Sequence, residues 1–290
     1  MTAASSPAQT IRVAGPAVPP ASHHVGFGHV MLTEWTKIRS VRSTFWTLLL
    51  FVVITVGITA GLTALVVGSL SSARRGGGGG GGGHAQIIAD PVSFILGVGI
   101  YLGQLTLCVL GAMVITSEYS TGVIRSSLLA VPKRIPVLAA KAAVFAAILL
   151  VLAEVVAFCS FFVGSTLLHS KVPVALSDPG VTRAVIGAGL YLTVLGLFAL
   201  AIGSLIRHTA ASITTVLGIV LVLPILTGFL PSSWGAHVNA YLPVQAGSLI
   251  FRAEPASGQL LSPWQGFGLF CLWTAVLLVA GGYLLQRRDA

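Results

Sequence analysis

Charge is what this sequence has least of. Asp, Glu, Lys and Arg together make up 8 % of its 290 residues. A soluble domain carries roughly 25 %. So few charges cannot cover a soluble globule, which excludes an ordinary soluble enzyme. Cysteine is scarce as well: Cys108, Cys159 and Cys271 all fall inside apolar runs, so no disulfide framework is indicated. No Gly-Lys dipeptide occurs anywhere, which removes the P-loop reading from the eight glycines Gly76–Gly83 and leaves a flexible linker. Gly-x-Ser-x-Gly and His-Glu-x-x-His are also missing, so a hydrolase has no support. His23, His24 and His29 cluster without Cys or carboxylate partners at ligand spacing. The chain is therefore expected to carry no catalytic residue, no metal and no cofactor of its own.

What is present is hydrocarbon. Apolar residues reach 55 % and the mean hydropathy is +0.96. Six apolar runs stand out: Phe45–Leu70, Val92–Thr116, Val137–Leu168, Ala184–Leu205, Ser212–Leu230 and Trp264–Leu285. At about 1.5 Å per residue, each is long enough to cross a hydrocarbon core of about 30 Å. Short alternating strands, which a closed barrel needs, are lacking. Asp90-Pro91 and Ser262-Pro263 each set a capping side chain before a proline at the first helical position. Residues 1–28, rich in Pro, Ala and Gly, read as a disordered cytoplasmic tail. Residues 29–290 read as one six-span domain.

Six spans place both termini on one side. With the N-terminus inside, the inner segments hold Arg12, Lys37, Arg39, Arg42, Arg125, Lys133, Arg134, Lys141, Arg207, Arg287 and Arg288. The outer segments hold Arg74, Arg75, Lys171, Arg183 and Arg252. This excess predicts a multi-pass protein of the cell membrane with both termini cytoplasmic. It also accounts for the net charge of +9 without nucleic acid as a partner.

Two inner segments are unusual. Glu-Trp-Thr-Lys-Ile-Arg-Ser, residues 34–40, leads directly into the first span. Leu32, Trp35, Ile38, Val41 and Arg42 fall near helical spacing, with Glu34 and Lys37 displaced around the helix. An amphipathic interfacial helix is expected, with Trp35 at headgroup level and Lys37, Arg39 and Arg42 near anionic membrane lipid. The second segment joins spans two and three. Its Val123, Ile124, Ser127, Leu128 and Val131 form one face of a short helix that Pro132 ends. Glu118 has Arg125 or Lys141 within reach as an ion-pair partner.

Glu118-x3-Gly122, then Leu129-x2-Pro132-x-Arg134, then Lys141, resembles the loop motif of ABC-2 type permeases, the membrane subunits of ABC exporters. Residues 34–40 resemble the entry helix of bacterial members. Tyr119-Ser120 stands where many members carry further charge. The resemblance covers about residues 30–290. It implies an all-α membrane fold with six transmembrane helices, an N-terminal interfacial helix and a cytoplasmic coupling helix. Glu118, Thr121, Gly122, Arg125, Pro132, Arg134 and Lys141 would then form the coupling element. It also implies a separate ATP-binding subunit, holding ATP and Mg, and a second permease, either another copy or a homologue. The alternative reading is a secondary transporter driven by an ion gradient.

Within the spans, Glu154 lies deep in span three. A charge there costs at least about 2.5–3.5 kcal/mol, so it must be neutral, paired or beside a wet cavity. It is the candidate pathway residue. Gly189, Gly196 and Gly203 repeat every seven residues, and Gly57-x3-Gly61 and Gly99-x3-Gly103 add further small-residue faces for helix packing. Pro224 should kink span five. The stretch Val238–Phe251, broken by Pro243, reads as re-entrant or interfacial helices on the outer side.

Overall fold

The computed structural model describes residues 27–40, 42–76, 89–121, 134–254 and 258–287. It is all-helical, with no strand among the described residues. The chain opens with α1 (Phe27–Ser40), followed by α2 (Arg42–Gly76), α3 (Pro91–Thr121), α4 (Arg134–Leu168) and α5 (Val181–Ile206). Then come α6 (Thr209–Leu217), a π turn (Gly218–Val222) and α7 (Leu223–Thr227), which together make one continuous rod. Two short helices, α8 (Ser232–Tyr241) and α9 (Pro243–Ser248), precede the last, α10 (Pro263–Arg287). Six of these elements are long and apolar enough to cross a membrane: α2, α3, α4, α5, the α6–α7 rod and α10. They contain all six apolar runs, except that the fifth ends at Thr227 rather than at Leu230. The chain has the character of a multi-pass membrane protein.

Both expected caps form. The Ser93 amide donates to Asp90 Oδ1 at 3.0 Å, starting α3. At the start of α10 the Gln265 amide donates to Ser262 Oγ at 3.4 Å, and the Ser262 amide donates to Gln265 Oε1 at 2.9 Å. That reciprocal pair is a capping box with glutamine as its third helical residue.

Helix α5 is the hub. It packs against α3, α4 and α10, and its apolar window is 78 % buried against 17–56 % for the other five spans. Small residues let the backbones close on one another. A side chain at Gly111 of α3 would strike the carbonyl of Gly196, and one at Gly203 would strike Ile115 and Ala112 of α3. Gly196 also faces Leu149 of α4, so the seven-residue glycine repeat is shared between two neighbours. Gly99 and Gly103 seat Thr59 and Thr55 of α2. The face of α2 that carries Gly57 and Gly61 meets nothing within 4 Å, so the small-residue face read there packs no helix among the described residues.

The α3–α5 contact carries a polar pair that hydropathy does not reveal. Tyr191 Oη donates to Gln104 Oε1 at 2.7 Å, both side chains being buried. Pro224, expected to kink span five, lies just after a π turn. It has no N–H for Val220, and the turn before it widens. The Leu223 amide reaches back five residues to Gly218 O, the signature of a π turn. The stretch Val238–Phe251 does form helices broken at Pro243, and Arg183 pins its end. The Arg183 guanidinium donates to the carbonyls of Ile250, Arg252 and Ala253 at 3.3, 3.0 and 2.9 Å.

Candidate functional site

A four-charge cluster joins the two segments singled out from the sequence. Lys141, in the second turn of α4, donates to Glu34 Oε2 of α1 at 2.6 Å and to Glu118 Oε1 of α3 at 2.8 Å. Lys37 donates to the other oxygen of Glu34 at 2.7 Å and lies 3.7 Å from Glu118. Two acids and two bases therefore cancel in one knot where three helix ends meet. The side chains of Glu34 and Lys141 are only 2 % and 4 % exposed, and that of Glu118 is 12 % exposed. Lys37 is the outermost, at 33 %.

Burial raises the Glu34 carboxyl, but the Lys141 charge and hydrogen bond, with those of Lys37, outweigh it and hold the group below its ordinary 4.5. Burial likewise pulls the Lys37 ammonium down, and Glu34 and Glu118 together reverse this and lift it above 10.5. Both groups are charged at neutral pH. Taking one partner from such a buried pair is costly, because the remaining charge loses its compensation.

The helix that carries Glu34 turns its acid inward and its large apolar groups outward. Leu32 is 64 % exposed and Trp35 46 %. Behind Glu34, Met31 packs on Val137 and Ala140 of α4. The expectation that Glu34 and Lys37 merely flank an interfacial stripe misses this. Glu34 is the most buried member of the cluster. Of its two expected partners, Glu118 takes Lys141. Arg125, Gly122 and Pro132, with the coupling helix itself, lie outside the described residues, as do the tail 1–26 and residues 77–88, which include most of the glycine linker. Thr121 closes α3, its hydroxyl donating to Ser117 O at 2.8 Å. Arg134 opens α4, Arg39 lies in the last turn of α1, and Arg42 is exposed at the start of α2.

A second tie on the same side was read only as a topology signal. Arg207 follows α5 with φ +62°, a left-handed conformation that non-glycine residues seldom adopt. Its guanidinium lies 5.2 Å from the centre of the Tyr119 ring and donates to Leu284 O of α10 at 3.1 Å. It thereby links α5, α3 and α10 one residue from Glu118. Tyr119, the departure from the permease pattern, is the ring this cation rests on.

Glu154 stands apart, thirteen residues beyond Lys141 and so about 20 Å further along α4. Its carboxyl lies against Gly189 of α5, where a Cβ would collide with it. Oε2 is buried with no hydrogen-bond partner.

No protein-family model matches the chain, and no curated protein is significantly similar to it. The cluster must therefore be interpreted from its own geometry. Lys141 ties α4 both to the preceding helix α3 and to α1, 107 residues earlier in the chain. The segment between α3 and α4 begins four residues after Glu118 and ends eight residues before Lys141.

Proposed function

We propose that this chain is the membrane-spanning permease subunit of an ATP-driven exporter of the ABC-2 type. It works as a dimer in the cell membrane, with both termini cytoplasmic, and couples to a separate ATP-binding subunit that holds ATP and Mg. The observation that carries the reading is Lys141 bridging Glu34 and Glu118. A loop that only connects two spans needs no such anchor. A loop that another protein pushes does, because movement must pass into the helices rather than be lost in bending at their ends. The excess of Lys and Arg on the α1 side supports the orientation. The outward Leu32 and Trp35 suit a helix lying at the membrane surface.

The test is purification of the tagged full chain from its native membrane in mild detergent. An ATP-binding protein should accompany it in stoichiometric amount and be lost when residues 118–141 are scrambled. A chain that purifies alone, under conditions that preserve known complexes, refutes the proposal. One observation favours a second reading, a transporter driven by an ion gradient: the unpartnered carboxyl of Glu154 within a span. Uptake by the chain alone in proteoliposomes under a pH or sodium gradient, abolished by E154Q, would decide for it.

A further inference from the structure

A small cavity of about 20 Å³ lies behind the charge cluster, where four helices meet. Helix α3 contributes Glu118 and Tyr119, α4 Lys141, α5 Ser204 and α10 Gly281. Ile115, Leu138 and Leu285 complete the wall. Size limits what the cavity can take. One water molecule needs about 10–15 Å³ and two to four polar partners, so there is room for a water and none for an organic ligand.

The wall holds hydrogen-bonding capacity that the protein leaves unused. An ammonium carries three N–H groups, and Lys141 uses two of them, on Glu34 and Glu118. Its side chain is so deeply buried that bulk solvent does not serve the third. Ser204, also buried, donates to Ala201 O at 2.7 Å, and no group among the described residues donates to its oxygen. Glu118 meets both lysines with Oε1, and its Oε2 accepts from no described residue. One donor and two acceptors therefore line a cavity the size of a water. The cluster itself stops short of the hub: Glu34, Glu118 and Lys141 bond to one another and to Lys37, and none of them bonds to α5 or α10 among the described residues.

We infer that this cavity binds one ordered water, which ties the charge cluster to the hub helix α5. The water accepts a hydrogen bond from the third N–H of Lys141. It donates to Ser204 Oγ and to a carboxylate oxygen of Glu118, which makes about three bonds, the usual number for a buried water. Gly281 leaves the serine in place: a Cβ on α10 at that point would strike Ser204 Oγ and push it from the wall. The cluster is then fastened in two ways. Direct ion pairs join α1, α3 and α4. A water joins them to α5, nearly as strong as a direct bond but linked covalently to neither side. The hub can shift against the cluster, and the water can reorient between its partners, without an ion pair opening.

X-ray footprinting of the full chain in nanodiscs tests this. Irradiation splits water into hydroxyl radicals, which oxidise the nearest side chain at once. Ile115, Leu138 and Leu285 are 3, 6 and 5 % exposed, so radicals born in bulk water scarcely reach them. With a radical scavenger in the bulk, these three should still be oxidised, because their radical is made beside them. Leu149 and Leu192, fully buried and away from the cavity, should not be. S204V fills the cavity with a methyl and removes one acceptor. It should lower oxidation of the three to the level of Leu149 and Leu192, with slow exchange of α5 amides as the check on folding. Should S204V not fold, L138F fills the cavity from α4 and should give the same loss at Ile115 and Leu285. Oxidation of the three no greater than that of the controls, in the unaltered protein, overturns the inference. So does quenching by the scavenger in step with surface residues, which would mark open solvent, and so does oxidation that persists in folded S204V. The readout involves neither ATP nor transport, so failure of the exporter reading would leave the site standing.

Discussion

Replacing Glu34 with glutamine tests the cluster at its most buried point. The substitution keeps the shape and one acceptor oxygen, but changes the knot from two acids and two bases to one acid and two bases. Lys141, 4 % exposed, then has only Glu118, which it must share with Lys37. Removing one partner of a buried pair costs about 3–5 kcal/mol. The retained acceptor and the remaining carboxylate reduce this, so about 2–3 kcal/mol is the expected loss. The loss falls on the docking of α1, whose other named anchor is Met31 against Val137 and Ala140. Hydrogen exchange of α1 amides in detergent or nanodiscs reads that docking directly. Exchange over residues 32–38 should speed up by about 30- to 150-fold in E34Q, with α5 unchanged as the internal control. K141M should do the same, and the double variant should cost less than the sum of the singles, because the two share one interaction. Exchange in E34Q within threefold of the parent, in a protein whose α5 amides remain protected, would refute the reasoning.

The same docking should depend on pH in a definite direction. Glu34 is depressed in the folded state, so its contribution is complete above 4.5 and is lost as pH falls through its own lower value. Lys37 is raised, so its contribution is complete below 10.5 and is lost only as pH rises beyond that. Exchange of α1, corrected for intrinsic rates, should be flat through neutrality and accelerate only in acid below 4.5 or in strong base; a transition near neutrality would contradict the assignment. Y191F removes the donor to Gln104 and should cost about 0.6–1.7 kcal/mol, the range for hydrogen bonds between transmembrane helices, read as a lower Tm in detergent. G111A drives a methyl into the Gly196 carbonyl and should cost about 1–3 kcal/mol, while G57A, on a face that meets nothing, should be neutral in the same assay.

The six spans were legible because each is a run of apolar residues longer than the bilayer needs, and no soluble use of such a run competes. The caps at Asp90 and Ser262 were legible because capping is local: the acceptor lies three residues from the donor. The cluster was legible only in halves. Glu118 and Lys141 fall in one loop motif and Glu34 in another, and nothing in periodicity brings together residues 107 positions apart, as Lys141 and Glu34 are. The Tyr191–Gln104 pair was hidden for the same reason, since hydropathy counts a glutamine in a span as a defect and does not name its partner. Arg207 was counted as one more positive charge, and its left-handed backbone left no trace in composition. The glycine faces show the limit most plainly. Sequence shows where a helix can be approached, as at Gly57 and at Gly189, but not which of them another helix approaches.

The central position of α5 also bears on how the protein is made. A translocon releases spans in order, and α5 is the fourth. Until it arrives, α3 and α4 stand in lipid with their closest neighbour absent: Gly111 faces no carbonyl, Gln104 has no phenol, and the carboxyl of Glu154 has no Gly189 to lie against. The first three spans are thus a half-built structure that carries its most expensive side chains uncovered. The arrival of one glycine-lined helix gives Gln104 its phenol and Gly111 its facing carbonyl, and leaves Glu154 against Gly189 still without a hydrogen-bond partner for Oε2.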